Sequence, residues 1–107
     1  MKFCVSLTTI PSRINNIKAT IESIKNQSVK PYKIFLNLPN KFKRFKDEFF
    51  TEDEIKRINY DNLEIARCDD FGPGTKIMGS LNKIKNNYDF VVLIDDDHEY
   101  HPRFLEI

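Results

Sequence analysis

No stretch of apolar residues in this sequence approaches the roughly 20 that a helix needs to cross a bilayer. The opening segment from Met1 to Ile10 is broken by Ser6, Thr8 and Thr9, so it lacks the apolar centre of a secretion signal and reads as a strand. Cysteine is scarce. Cys4 and Cys68 stand alone in separate strand-like segments, make no metal motif, and are expected to be reduced and buried, as in a cytoplasmic protein. An excess of one charge is missing too: 17 Lys and Arg against 16 Asp and Glu leave a net charge of +1. A dedicated nucleic-acid binder would carry a marked basic excess. There is no internal repeat, linker or low-complexity tract, and 107 residues suffice for a single domain around one core.

What is present is an alternation of two hydrophobic periods. Phe3, Cys4, Val5 and Leu7 form a short, nearly continuous apolar run, which fits a strand covered on both faces. Pro11 ends it, and Ser12 is the expected N-cap of a helix. Ile14, Ile17, Ile21 and Ile24 then make one helical face, and Pro31 bounds that segment. Ile34, Phe35, Leu36 and Leu38 form a second strand before Pro39-Asn40. The stretch from Lys41 to Lys46 is basic with interleaved aromatics and reads as a surface segment with its phenylalanines tucked beneath. Thr51 and Glu54 have capping-box spacing for a short helix carrying Ile55 and Ile58. Leu63, Ile65 and Ala66 predict a third strand. Ile77, Met78, Leu81 and Ile84 predict another helix, Asn86-Asn87 a turn, and Phe90 to Ile94 a strand apolar on both faces. Alternating strands and helices predict an α/β domain: an open, mostly parallel sheet with helices on both faces.

The last strand runs directly into Asp95, Asp96 and Asp97. Open parallel sheets bind ligands at the carboxyl ends of their strands, near the point where strand order reverses. Carboxylates about 5 Å apart repel by roughly 3 kcal/mol at an effective dielectric near 20. A bound divalent cation relieves that cost, and oxygen donors suit Mg²⁺ or Mn²⁺. In an extended segment Asp95 and Asp97 share a side and Asp96 points away. Gly72-Pro73-Gly74-Thr75-Lys76 opens a helix whose amides and lysine suit a phosphate. It is neither G-x-G-x-x-G nor the eight-residue phosphate loop. His98 and His101 form an H-x-x-H pair, read as two partly exposed loop histidines, with Tyr100 anchoring the loop against the core.

Leu7-Thr8-Thr9-Ile10-Pro11-Ser12-Arg13, Gly72-Pro73-x-Thr75-Lys76, and an apolar strand ending in Asp95-Asp96-Asp97 occur in this order and span nearly the whole chain. The set resembles bacterial and viral glycosyltransferase-like proteins of the GT-A fold, the nucleotide-diphospho-sugar transferase superfamily. The resemblance implies a Rossmann-like, partial GT-A fold over residues 1–107. It implies transfer from a UDP- or GDP-linked sugar to an acceptor hydroxyl. Asp95 and Asp97 would hold Mn²⁺ or Mg²⁺ on the diphosphate. Thr8, Thr9, Pro11 and Arg13 would line the nucleoside pocket, Lys76 would meet the nucleotide, Asp70 would reach the base or ribose, Asp95 the ribose or a metal-bound water, and Asp96 would belong to the nucleotide-sugar site, with Asp97 the more direct metal ligand. In that fold the general base and the acceptor platform come from later sequence, so no catalytic base is assigned. The chain is therefore expected to be the donor half of an incomplete domain, self-associating or completed by another chain. Two other readings of the residues remain: a non-catalytic nucleotide-diphosphate-binding module, and a Mg²⁺-dependent phosphohydrolase.

Overall fold

A computed structural model of the chain describes residues 2–42, 49–58 and 60–106. Its four strands, β1 (Phe3–Thr8), β2 (Lys33–Pro39), β3 (Leu63–Cys68) and β4 (Phe90–Leu93), form one sheet in the order β3-β2-β1-β4. Every pairing is parallel. Parallel neighbours need crossover connections, and helices supply them: α1 (Ile17–Lys25), α2 (Glu52–Arg57), α3 (Thr75–Met78) and α4 (Leu81–Ile84). The α/β class, the open parallel sheet and the helices on both faces follow the sequence reading. Among the described residues no helix is long and apolar enough to cross a membrane.

Period-2 alternation divides the core. Phe3, Val5 and Leu7 of β1 and Ile34, Leu36 and Leu38 of β2 point to one face, where Ile14, Ile17, Ile21 and Ile24 cover them. The opposite face carries a small cluster of Cys4, Phe35 and Ile84, with Tyr88 and Val91 against it. Phe42 tucks into the α1 side and tilts against Phe50 at 5.7 Å. Lys43, Arg44, Phe45 and Lys46 of the basic-aromatic stretch lie outside the described residues.

Local chemistry explains two of the element ends. Thr51 and Glu54 form the reciprocal capping box that starts α2, with the Thr51 N–H donating to Glu54 Oε1 at 2.9 Å and the Glu54 N–H to Thr51 Oγ1 at 3.1 Å. Asn86, at φ 68°, takes the left-handed conformation that asparagine tolerates and turns the chain into β4. Two expectations are corrected. Ser12 caps no helix: a 3₁₀ helix spans Pro11–Asn16 with Pro11 in its first turn, and α1 begins only at Ile17. The stripe Ile77–Ile84 is two short helices broken at Gly79-Ser80. Leu93 is 44% exposed, so the apolar strand β4 keeps uncovered surface. It is an edge strand, and α3 lies over β1 and β2.

Candidate metal and nucleotide site

From β1 the sheet extends in two directions, to β2 and β3 on one side and to β4 on the other. The carboxyl ends of β1 and β4 therefore flank the switch point at which parallel sheets hold ligands. In register, Ser6 of β1 pairs with Leu93 of β4, and the Ile94 N–H continues the ladder to the Ser6 carbonyl at 3.1 Å. The segments that follow these two strands meet despite their distance in sequence.

Asp96 turns inward. Its Oδ2 accepts from Thr9 Oγ1 at 2.6 Å and from Arg13 Nε at 2.9 Å, and its backbone carbonyl accepts from Thr20 Oγ1 of α1 at 3.0 Å. The residue is only 8% exposed, so this carboxylate is a buried acceptor and not an open ligand. Two residues expected to touch nucleotide, Thr9 and Arg13, thus bind it at the base of the aspartate turn. Arg13 keeps half its side chain in solvent.

Asp95 and Asp97 turn outward and His98 joins them. One ligand atom from each of the three lies within 4.8 Å of the others. His98 Nε2 is 3.5 Å from Asp97 Oδ1 and 3.9 Å from Asp95 Oδ2. On the other side, Lys76 Nζ stands 3.3 Å from Asp95 Oδ1. The Asp95 N–H donates to the Tyr100 hydroxyl at 3.0 Å, and the Tyr100 ring packs on Phe104 with centroids 4.5 Å apart. Burial raises the Tyr100 phenol above its ordinary pKa. The His98 ring meets Tyr100 edge-on at 5.9 Å. His101 takes no part: its Nδ1 accepts from the Arg103 N–H and its carbonyl from Gln27.

The energetics differ from the sequence estimate. The side chains of Asp95 and Asp97 are 59% and 61% exposed. At that exposure, repulsion across about 5 Å falls toward about 1 kcal/mol, the value for bulk water. Charge crowding is thus a weak drive for cation binding, and the donor set is the stronger argument. Two carboxylate oxygens and one imidazole nitrogen are donors of the kind that divalent cations take.

The other expected residues lie at and after the ends of β1 and β3. Thr8 donates its hydroxyl to the Asn37 carbonyl at 2.6 Å. Pro11 opens the turn that carries Arg13. Asp70 Oδ1 accepts the Gly72 N–H at 2.8 Å, bracing a glycine whose φ of +60° disfavours a side chain. Thr8, Thr9, Pro39, Phe42, Asp70 and Thr75 border a cavity of about 160 Å³. A second, of about 500 Å³, lies between Asn40–Phe42 after β2 and Asp69–Phe71 after β3. Both cysteines are free: burial raises the Cys4 thiol to about 11 and raises that of Cys68 as well.

Four residues of consequence were not singled out by the sequence reading, or were read as bland. His98 was read as solvated loop. Ser6, Asn37 and Thr20 were passed over, although a serine and an asparagine inside apolar strands are a visible anomaly. Buried polar side chains require partners, and that requirement was the available signal. No protein-family model matches the chain, and no curated protein matches it.

Proposed function

We propose that the chain is the donor-binding part of a metal-dependent glycosyltransferase, taking a UDP- or GDP-linked sugar for transfer to an acceptor hydroxyl. The observation that carries this reading is the convergence of Asp95, Asp97 and His98 at the end of β4, beside the end of β1. Asp95, Asp97 and His98 would hold Mn²⁺ or Mg²⁺. Such a cation neutralises charge on a departing diphosphate. Lys76, beside Asp95, supplies a second positive charge for the same phosphates. Thr8, Thr9 and Asp70, which border one cavity, would face the nucleoside. Asp96 serves the site from below by fixing the turn.

The test is a melting-temperature titration with Mn²⁺, with and without UDP or GDP, on the parent and on Asp95→Asn, Asp96→Asn and Asp97→Asn. The parent gains stability with metal and nucleotide together, and EDTA removes the gain. Asp97→Asn abolishes the gain while leaving the fold intact, and Asp96→Asn diminishes it less. An unchanged gain in Asp97→Asn overturns the ligand assignment. No gain in the parent overturns the nucleotide reading. Product analysis separates this chemistry from the others: release of inorganic phosphate from simple esters identifies a phosphohydrolase, and nucleotide binding without sugar transfer by the complemented protein identifies a binding module.

A further inference from the structure

Ser6, Asn37, Thr75 and Ser80 are all 1% exposed or less, and all lie between the sheet and the α3–α4 segment. Burying such groups costs free energy unless each is hydrogen-bonded, and here the bonds converge. Asn37 Nδ2 shares its two hydrogens among the Lys76 carbonyl at 3.0 Å, Ser6 Oγ at 3.0 Å and the Leu7 carbonyl at 3.3 Å. The Ser6 hydroxyl donates to the same Lys76 carbonyl, and the Ser80 hydroxyl donates to Asn37 Oδ1. The Ser80 N–H bonds to the Ile77 carbonyl at 3.1 Å, and the helical stretch breaks there. Gly79 permits the approach: a Cβ at that position would stand 2.9 Å from Asn37 Cβ, Asn37 Oδ1 and Cys68 Sγ.

The carbonyl so held belongs to the residue whose ammonium stands 3.3 Å from Asp95. A helix of four residues has no stability of its own, so the position of Lys76 must come from the sheet. An apolar contact would hold α3 without fixing its rotation. Directed bonds to one carbonyl fix height and rotation together. We propose that Asn37, assisted by Ser6, is a positioning residue that sets Lys76 over the aspartate site for contact with a diphosphate. The proposal rests on the reading of that site as nucleotide-binding.

The test uses Ser6→Ala, Asn37→Ala, Lys76→Met and the doubles that combine each clamp variant with Lys76→Met. UDP and GDP affinities are measured by calorimetry at saturating Mn²⁺. Lys76→Met weakens binding about tenfold, the scale of one charge-assisted contact. Asn37→Ala loses most of the same factor, and the double is no weaker than Lys76→Met alone. A merely structural residue would give losses that multiply, and that outcome overturns the proposal. If Asn37→Ala does not fold, the Ser6→Ala cycle is judged by the same criterion. If the parent binds neither nucleotide, the functional reading fails, and the clamp is then judged by nuclear Overhauser contacts between the Lys76 side chain and Asp95. Their loss in Ser6→Ala or Asn37→Ala upholds the clamp, and their persistence overturns it.

Discussion

On the α1 face of the sheet, Val5, Leu7, Ile34, Leu36 and Leu38 bury against four isoleucines of the crossover from β1 to β2. On the α3 face, the intervening residues of the same strands include Ser6 and Asn37, which hydrogen-bond to the α3–α4 segment, while the apolar cluster shrinks to Cys4, Phe35 and Ile84. Burial on the first face is non-directional and scales with area, at about 1.5–3 kcal/mol for each fully buried large aliphatic side chain. Hydrogen bonds on the second are each worth about 1 kcal/mol net but specify one geometry. One face therefore carries most of the stability, and the other carries the placement of Lys76. The same division reaches the aspartates: Asp96 turns to the α1 side and Thr20, Asp95 to the α3 side and Lys76.

The largest effect separating the two faces is expected from truncation. Leu36→Ala, at a position with no solvent exposure, is expected to cost about 2–5 kcal/mol in urea unfolding. Ser6→Ala, one residue type away in size and equally buried, is expected to cost about 1 kcal/mol. Equal losses would erase the distinction between the faces.

A smaller effect distinguishes the aspartates. Asp96→Ala leaves Thr9 and Arg13 without their shared acceptor and is expected to cost about 1–3 kcal/mol. Asp97→Ala, at an exposed position, is expected to stay within about 0.5 kcal/mol in metal-free buffer. Thermal melts in EDTA decide between them, and the reverse ranking would remove Asp96 from the role of anchor.

The smallest effect belongs to the rim of the α3 face, where Glu64 of β3 bridges Lys83 of α4 and Lys33 of β2. The hydrogen bond from Lys83, then that from Lys33, holds the Glu64 carboxyl below its ordinary value of 4.5, against the opposing effect of burial. A depressed carboxyl pKa adds stability above the unfolded value, and that contribution disappears as pH falls through the lower folded value. Glu64→Gln is therefore expected to lose up to about 1 kcal/mol near pH 7, given the exposure of both lysines. The gap to the parent is expected to hold down to about pH 5 and to close at more acidic pH. A gap independent of pH would assign the loss to packing.

The residue pattern alone determined the β-α alternation, the four strands, the α2 capping box and the aspartate-bearing strand end, because period and capping act over a few neighbouring residues. It also implied that Asp95 and Asp97 share a side, since alternation along an extended chain is local. The break at Gly79-Ser80 was hidden, because Ile77, Met78, Leu81 and Ile84 keep helical spacing while the Lys76 carbonyl is held by strands about 40 and 70 residues earlier in the chain. The start of α1 at Ile17 was hidden for a related reason: it depends on what else covers the element. Only the tertiary structure turned Asp96 into a buried anchor for Thr9 and Arg13, brought His98 to Asp95 and Asp97, and joined Asn37 to Lys76. These are contacts between side chains and partners far apart in sequence or set by a turn's exact path, and such contacts exist only once the sheet has fixed the strand order β3-β2-β1-β4.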